Sequence, residues 1–373
     1  MIFFIHYFDA NSQNLRLGAE EMNKYLHLIQ GKNIGIVANQ TSMIGNIHLV
    51  DTLIKLNVNI KSIFTPEHGF RGKADAGEYV ENQIDKETGI PIISLYGKNK
   101  KPEYKNIKKL DIVIFDIQDV GARFYTYIST LHYVMEALAE NNITLILLDR
   151  PNPNAHYIDG PILDTNYQSF VGMHPVPIVH GMTIGEYAKM INGEKWLKNQ
   201  VTCELIVINM DNYSRKNPYQ LPIKPSPNLP NSRAINLYPS LCLFEGTTIS
   251  VGRGTDYPFQ HFGAPYLKSN YTFKPQSNNG SKKPKYQDIL CAGIDLRYQD
   301  NYITELNLKW LINTYHESEQ KESFFNNFFD KLAGTDNLRK QIIAGKTEKE
   351  IKLSWQKDLS KFKKIRQQYL LYK

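Results

Sequence analysis

The sequence predicts an α/β protein whose first part holds a doubly wound, mainly parallel β-sheet. Five short runs within the first 153 residues are almost continuously apolar, and segments with helical spacing or turn residues separate them. Strands that are apolar throughout are typical of a parallel sheet covered on both faces. Their alternation with helices indicates strand–helix–strand units.

The predicted elements of this part follow one another along the chain. We expect strands at residues 33–39, 60–65, 91–97, 110–119 and 143–153. We expect helices at residues 46–57 and 126–142, a further helix opening within 180–194, and a strand at 203–210.

The pattern changes in the second half of the chain. Residues 219–239 are rich in proline, which breaks regular elements and indicates a boundary. Short β-like runs follow at 241–252 and 289–298, and a helical tail begins at about Leu306. We therefore predict an N-terminal domain over residues 15–228 and a smaller α+β domain over residues 229–373.

Composition and charge exclude several classes of protein. The chain has 373 residues and a formal net charge of +7, and much of the excess lies in lysine-rich clusters at 98–109, 281–285 and 361–366. These clusters lack the aromatic spacing of a nucleic-acid module, so we interpret them as solvated surface and expect no nucleic-acid partner. The three cysteines are far apart and odd in number, which indicates neither a disulfide framework nor a zinc site.

The N-terminus bears on location. No run is long enough for a transmembrane helix, so we expect no membrane partner. The first residues are apolar without a basic start, which fits either a truncated secretory signal or a short strand. We favour the signal, and with it a periplasmic or secreted protein.

The candidate site follows from the strand ends, because ligands of open parallel sheets bind outside the carboxyl ends of the strands. Every predicted strand in the first half ends in side chains that titrate or form hydrogen bonds. These are Asn39, Glu67, His68, Tyr96, Asp116, Gln118, Asp119, Arg123, Tyr125 and Arg150.

Glu67 is the candidate general acid. A carboxyl group against an apolar wall such as Phe64 or Phe70 has its pKa raised by desolvation, as a general acid near neutral pH requires. The structural alternative is a salt bridge to Arg71 or Arg123.

The neighbours of Glu67 have both functional and structural interpretations. His68 fits a residue that orients Glu67, contacts substrate or ligates a metal, and it equally fits a structural histidine. Of Asp116 and Asp119, one fits a cap for the following segment and the other a carboxylate facing the cleft. Arg123 has an alternative role as the partner of either aspartate.

A second cluster lies at residues 244–259. Arg253 between Gly252 and Gly254 suits a carboxylate ligand, which arginine binds through two parallel hydrogen bonds. Glu245 adds a further carboxylate. The structural alternative is a glycine-rich hairpin turn.

Three motifs are absent from the sequence: G-x-G-x-x-G after the first strand, H-E-x-x-H and G-x-S-x-G. We therefore expect no dinucleotide cofactor and name no metal ligands. The residues alone indicate a hydrolase or a binding protein with a carboxylate-rich cleft between two domains.

Several motifs together resemble one family, from about Gly35 to Pro265 and more weakly in the C-terminal tail. They are "TPEHGFRG", "SLYG", "DIQDVGARFYTYISTL", "LDRPNP", "HGMTIGE", "PSPNLP" and "FEGTTISVGRGTDYPFQHFGAP". In this order they resemble the motifs of the NamZ-type exo-β-N-acetylmuramidases, long catalogued as a domain of unknown function.

The resemblance implies a Rossmann-like N-terminal domain, a smaller C-terminal domain and an active site in the cleft between them. It implies release of N-acetylmuramic acid from the non-reducing end of peptidoglycan-derived glycans, so the expected partner is a glycan or muropeptide. Glu67 corresponds to the glutamate of the family's E-H-G motif and is the expected catalytic acid.

The role of the other residues stays open at this stage. Arg253 or Arg123 fits the lactyl carboxylate of muramic acid. Asp116 or Asp119 fits a second catalytic carboxylate, in a retaining, inverting or substrate-assisted route. Two alternatives are a metal-dependent hydrolase using Glu67, His68, Asp116 and Asp119, and a non-catalytic muropeptide-binding protein.

Overall fold

The computed structural model describes residues 15–67, 69–70, 83–216, 219–298 and 302–372. Its strands are β1 (Asn33–Ala38), β2 (Met43–Ile44), β3 (Ile47–His48), β4 (Asn59–Thr65), β5 (Gln83–Ile84), β6 (Pro91–Ser94), β7 (Ile112–Asp116), β8 (Thr144–Leu148), β9 (Leu205–Ile208), β10 (His261–Ala264), β11 (Tyr271–Phe273) and β12 (Cys291–Asp295). Its α-helices are α1 (Met22–Ile29), α2 (Leu49–Lys55), α3 (Tyr104–Ile107), α4 (Tyr127–Ala139), α5 (Ile184–Gly193), α6 (Ser232–Leu241), α7 (Lys309–Glu317), α8 (Lys321–Phe324), α9 (Phe329–Ala333), α10 (Asn337–Ile343), α11 (Glu348–Ser354) and α12 (Gln356–Arg366).

A seven-stranded sheet organises the N-terminal part, in the order β5-β6-β4-β1-β7-β8-β9. All neighbours pair in parallel except β5, which runs antiparallel to β6 at one edge. The predicted α/β fold with a mainly parallel sheet is confirmed.

Both faces of this sheet are buried, which explains the continuous apolar runs in the sequence. Along β1, Ile36 belongs to one buried cluster and its neighbour Val37 to another, because successive side chains point to opposite faces. Helix α2 packs on the face of Ile36, whereas α4 and α5 pack on the face of Val37.

The sheet reverses its winding at the boundary between β1 and β7. The chain leaves β1 through α2 and enters β4 on one side, and the strands from β7 onward lie on the other side. In open α/β sheets this reversal opens a crevice at the carboxyl ends of the two central strands, where ligands bind.

The C-terminal part combines a small antiparallel sheet, in the order β10-β12-β11, with the short helices α7 to α12. One buried cluster runs from Val37 in β1 to Phe362 in α12, so the two parts of the chain share a core. No helix in the described part of the chain is both long and apolar enough to span a bilayer.

Two predictions about the middle of the chain were wrong. Residues 232–241 form α6 despite Pro239, and residues 242–246 form a 3₁₀ turn rather than a β-like run. Proline leaves the carbonyl four residues earlier without its helical donor. Here that carbonyl, of Ile235, accepts a hydrogen bond from Asn154 Nδ2 at 3.1 Å, which allows the helix to continue.

Candidate active site

A small cavity at the carboxyl end of the sheet is lined by Glu67 and by residues from both parts of the chain. The other lining residues are Phe124, Tyr125, Thr126, Tyr127, Ser226, Asn228, Leu229, Tyr238, Arg253 and Phe259. Its volume is about 60 Å³, well below the roughly 300–1,000 Å³ of typical ligand cavities. The described residues therefore outline a wall of a site rather than a complete sugar pocket. We call this space the Glu67 cavity.

Glu67 lies two residues beyond β4 and is half-buried. Its Oε2 accepts a hydrogen bond from the hydroxyl of Thr126 at 3.2 Å. Thr126 is the residue directly before α4, so the carboxylate lies at the N-terminal end of a 13-residue helix. The helix dipole favours negative charge there, and the Thr126 hydroxyl fixes one oxygen of the carboxylate.

Two tyrosines, Tyr125 and Tyr127, line the Glu67 cavity and share one hydrogen-bond acceptor. The hydroxyls of Tyr125 and Tyr127 donate to the carbonyl of Pro225 at 2.9 and 3.2 Å, and Asn39 Nδ2 donates to the hydroxyl of Tyr127 at 3.0 Å. Burial raises the pKa of both tyrosines, and the charge of Glu67 raises that of Tyr127 further. Both phenols therefore remain protonated at neutral pH.

Arg253 is fixed in the cavity wall by Glu245. Its Nε and Nη2 donate to the two carboxylate oxygens at 2.5 and 3.1 Å, and the guanidinium lies 5.0 Å from the ring centre of Phe259. Burial alone would lower the pKa of Arg253, but the carboxylate of Glu245 outweighs it and raises that pKa. Nη1 is buried and has no hydrogen-bond partner among the described residues, so it is an open donor.

The glycines beside Arg253 serve a turn as well. Gly252 and Gly254 have φ angles of 76° and 81°, which glycine adopts without strain. A Cβ on Gly252 would lie 2.2 Å from the ring of His261. The motif therefore contains both a glycine-rich turn and an arginine with an unused donor. The structural interpretation as a turn and the functional interpretation as a carboxylate site are compatible.

A second, larger cavity lies at the same edge of the sheet and has a volume of about 450 Å³. It takes in Gln118 and Arg150 from the predicted site. The other lining residues are Leu15, Leu17, Glu20, Thr41, Met43, Gly45, Asn46, Tyr219, Leu221, Pro222 and Ile223. The predicted strand-end residues thus divide between two cavities.

The expected aspartates do not line the Glu67 cavity. Asp116 is fully buried, and its two oxygens accept hydrogen bonds from Nε and Nη2 of Arg150 at 2.5 and 2.9 Å. Asp119 Oδ2 accepts from the backbone N–H of Gly121 at 2.7 Å, which matches the capping role. Burial raises the pKa of Asp119 to about 7. Neither aspartate lines the Glu67 cavity, and a catalytic carboxylate at either position stays a prediction.

Arg123 is also placed differently from the prediction. It is 0% exposed and pairs with neither Glu67 nor an aspartate. Its Nη1 donates to the carbonyls of Pro161 and Val176, and its Nη2 to those of Leu332 and Ala333. Burial lowers its pKa to about 9. Arg123 therefore joins the C-terminal helices to the N-terminal part, and it does not line the Glu67 cavity.

The remaining candidates have separate positions. Asn39 is fully buried and supports Tyr127 from behind the cavity. Tyr96 is half-buried, with its ring 6.3 Å from that of Phe170, and it lines neither cavity. His68 lies outside the described residues. Outside both cavities, Glu186 forms a capping box with Thr183 at the start of α5.

Sequence reasoning missed Thr126, Tyr127 and Asn228 as lining residues. The signal in the sequence for Thr126 is its position as the first residue of the helix predicted at 126–142. In the described part of the chain, no three His, Cys, Asp or Glu side chains are grouped so that they could hold a metal ion.

Comparison with known proteins adds independent information. Residues 34–233 match the family model described as "Exo-beta-N-acetylmuramidase NamZ, N-terminal", and residues 236–372 match its C-terminal counterpart. The family models thus divide the chain within α6, and the boundary that we predict at residues 228 and 229 stays a prediction.

Three relatives cover nearly the whole chain. The peptidoglycan β-N-acetylmuramidase NamZ of Bacillus subtilis (strain 168) is 41% identical over 372 residues, covering 93% of this chain and 89% of that protein. Two crystal structures of DUF1343 family proteins from Bacteroides fragilis superpose with TM-scores of 0.90 and 0.84, at 48% and 28% identity. Each covers 96% of this chain and 99% of its own. The chain therefore belongs to the NamZ family of exo-β-N-acetylmuramidases.

Proposed function

We propose that this chain is an exo-β-N-acetylmuramidase that releases N-acetylmuramic acid from the non-reducing end of peptidoglycan fragments, with Glu67 as general acid. The observation that carries this proposal is the position of Glu67. Among the described residues that line the Glu67 cavity, Glu67 carries the only carboxylate. Residues from both the N-terminal and the C-terminal part line this cavity, and both parts match the muramidase family models.

The proposed role of Glu67 is protonation of the departing glycosidic oxygen. A positioned carboxylic acid contributes roughly 10²- to 10⁴-fold to such a step. The Thr126 hydroxyl holds Oε2 of Glu67, and we assign the proton transfer to this carboxyl group. This assignment requires the protonated form of Glu67 in the substrate complex.

The proposed role of Arg253 is recognition of the lactyl carboxylate that distinguishes muramic acid from glucosamine. Glu245 holds Nε and Nη2 in place, which leaves Nη1 as the open donor in the same cavity wall. A charge-assisted hydrogen bond from a pre-positioned guanidinium favours a substrate that carries a carboxylate.

The test uses the full chain and a disaccharide with muramic acid at its non-reducing end. Glu67→Gln keeps the size of the side chain and removes the proton donor, so sugar release should fall by roughly 10²- to 10⁴-fold. Glu204→Gln is the matched control. Glu204 also accepts a hydrogen bond from a threonine hydroxyl, that of Thr144 at 2.9 Å, but at the opposite end of the sheet.

Two outcomes would remove parts of the proposal. Near wild-type release by Glu67→Gln would take Glu67 out of the acid role. Binding of the disaccharide by the wild-type chain without any sugar release over long incubation would support the non-catalytic alternative instead.

The proposed substrate also bears on location. Intact peptidoglycan lies outside the cytoplasmic membrane, so we propose that the protein acts in the periplasm or outside the cell. Fractionation of cells that express the full-length natural protein tests this, and recovery in the cytoplasmic fraction alone would contradict it.

A further inference from the structure

The second cavity has no role in the proposed reaction, although its size suits a ligand. Its volume of about 450 Å³ falls within the roughly 300–1,000 Å³ typical of small-molecule sites. It lies where Thr41 follows β1 and Gln118 follows β7, which is the point where the winding of the sheet reverses. Parallel sheets bind ligands in this position.

One stretch of chain, residues 219–229, separates the second cavity from the Glu67 cavity. Its first half lines the second cavity and its last residues line the Glu67 cavity. Gln40 Nε2 donates to the carbonyls of Lys224 and Pro225 at 3.2 Å, and Tyr125 and Tyr127 also donate to Pro225. The partition is therefore held from both sides, and the two cavities are distinct.

The second cavity contains an arginine with an unused donor. The Arg150 side chain is only 5% exposed and lines the cavity. Its Nε and Nη2 are engaged by Asp116 and the carbonyl of Met43. Its Nη1 makes no hydrogen bond with a described residue. The site is thus built around a buried and rigidly held guanidinium.

The charges of the second cavity disfavour an anion. Asp116 neutralises Arg150 through two hydrogen bonds, and Glu20 adds a carboxylate to the lining. One oxygen of Glu20 accepts from the N–H of Leu17 at 2.8 Å, which leaves the other as an acceptor. A carboxylate or phosphate ligand would face this negative charge, whereas a neutral ligand with hydroxyl groups can use both the donor and the acceptor.

Much of the remaining lining of the second cavity is apolar. Tyr219, Leu221, Pro222 and Ile223 contribute to this lining, and the tyrosine adds an aromatic ring. A lining that combines planar polar side chains with an aromatic ring suits a sugar, which has hydroxyl groups around its edge and C–H groups on its faces. The apolar lining also suits the methyl group of an acetamido substituent.

We propose that the second cavity binds a neutral N-acetylhexosamine unit of a glycan, separately from the sugar held beside Glu67. The choice of an amino sugar rests on the proposed function. The presence of the cavity and of its polar groups is independent of that function.

The test measures binding of the β-1,4-linked dimer of N-acetylglucosamine to the full-length Glu67→Gln chain by calorimetry. Tyr219→Ala should weaken binding by at least about tenfold, because the C–H groups of the sugar would lose their apolar contact with the aromatic ring. Tyr219 is half-buried at the cavity edge, and circular dichroism confirms that the variant folds. Tyr298→Ala is the control, since Tyr298 is 80% exposed and lines neither cavity.

Weaker binding in Tyr219→Ala with unchanged binding in Tyr298→Ala supports the proposal. Unchanged binding in Tyr219→Ala, or no binding of the dimer at tens of millimolar, overturns it. The hydrolytic assay on the muramic acid disaccharide is read separately. If the wild-type chain does not hydrolyse the disaccharide, the proposed function fails, but binding of the dimer that depends on Tyr219 can still be observed. The failure of the proposed function and the failure of this inference are therefore distinguishable.

Discussion

The hydroxyl of Thr126 lies 3.2 Å from Oε2 of Glu67 and joins the end of β4 to the start of α4. Strand β4 and strand β7, which precedes α4, lie on either side of β1, so the contact spans the crevice where the winding of the sheet reverses. It places a carboxylate, a helix N-terminus and the phenol of Tyr127 around one small space. The account of catalysis depends on this contact keeping Glu67 in place.

The contact itself gives the first prediction. Thr126→Val removes the donor while keeping the shape of the side chain. A hydrogen bond to a charged group contributes about 1.5–3 kcal/mol, so kcat on the muramic acid disaccharide should fall by about tenfold or more. Thr126→Ser restores the hydroxyl and should restore most of the rate. Equal kcat in the valine variant and the wild type would show that the contact does not position Glu67.

Arg253 gives a prediction about specificity. Arg253→Ala should reduce the preference for muramic acid over N-acetylglucosamine glycosides by about tenfold or more, because the charge-assisted hydrogen bond to the lactyl group is lost. The measurement is kcat/KM for both glycosides.

Arg297→Ala is the control for that experiment. Arg297 also makes two hydrogen bonds to one carboxylate, that of Asp295, and stacks on an aromatic ring, that of Tyr257, but it does not line the Glu67 cavity. A preference that stays the same in Arg253→Ala would rule out its role as the lactyl clamp.

Asp119 gives a prediction about stability and pH. Burial raises its pKa from 3.8 to about 7, so the folded protein binds this proton more tightly than the unfolded chain. Its contribution to stability is present below about pH 4 and is lost as the pH rises to about 7, on the order of 4 kcal/mol in total. Asp119→Asn should remove this part of the pH dependence.

Chemical denaturation of the wild type and Asp119→Asn at pH 5 and pH 7.5 checks this. The difference in unfolding free energy between the two proteins should move in favour of the variant at the higher pH. A difference that is the same at both pH values would show that Asp119 does not titrate in this range.

Arg123 gives a prediction that separates stability from catalysis. Arg123→Met keeps the length of the side chain but leaves four buried carbonyls without their donor. We expect a loss of about 3–5 kcal/mol in unfolding free energy, with kcat per folded molecule close to that of the wild type. If the variant folds with normal stability but has lost its activity, Arg123 takes part in substrate binding and the structural role assigned here is wrong.

The sheet could be predicted from the sequence because a strand that is buried on both faces appears as a run of consecutive apolar residues. The central strands β1, β7 and β8 are almost continuous apolar runs, and the ends of the predicted strands located Glu67, Gln118 and Arg150 at one edge of the sheet. That much follows from residues adjacent in the chain.

The division into two cavities could not be predicted, because it depends on residues far apart in sequence. Asp116 and Arg150 are 34 positions apart and Arg123 and Ala333 are 210 apart, and periodicity contains no information on such pairs. The same applies to Pro239. A proline-rich stretch predicts a break in the helix, but the partner that preserves it, Asn154, lies 81 residues from Ile235.

The central claim is that Glu67 protonates the leaving group. The most direct test asks whether the loss of kcat in Glu67→Gln depends on how much the leaving group needs a proton. The measurement compares kcat of wild type and Glu67→Gln on the natural disaccharide and on a nitrophenyl glycoside of muramic acid, whose leaving group departs without a proton. We predict a loss of roughly 10²- to 10⁴-fold on the disaccharide and a much smaller loss on the nitrophenyl glycoside. Losses of equal size on both substrates would contradict the assignment of Glu67 as the acid.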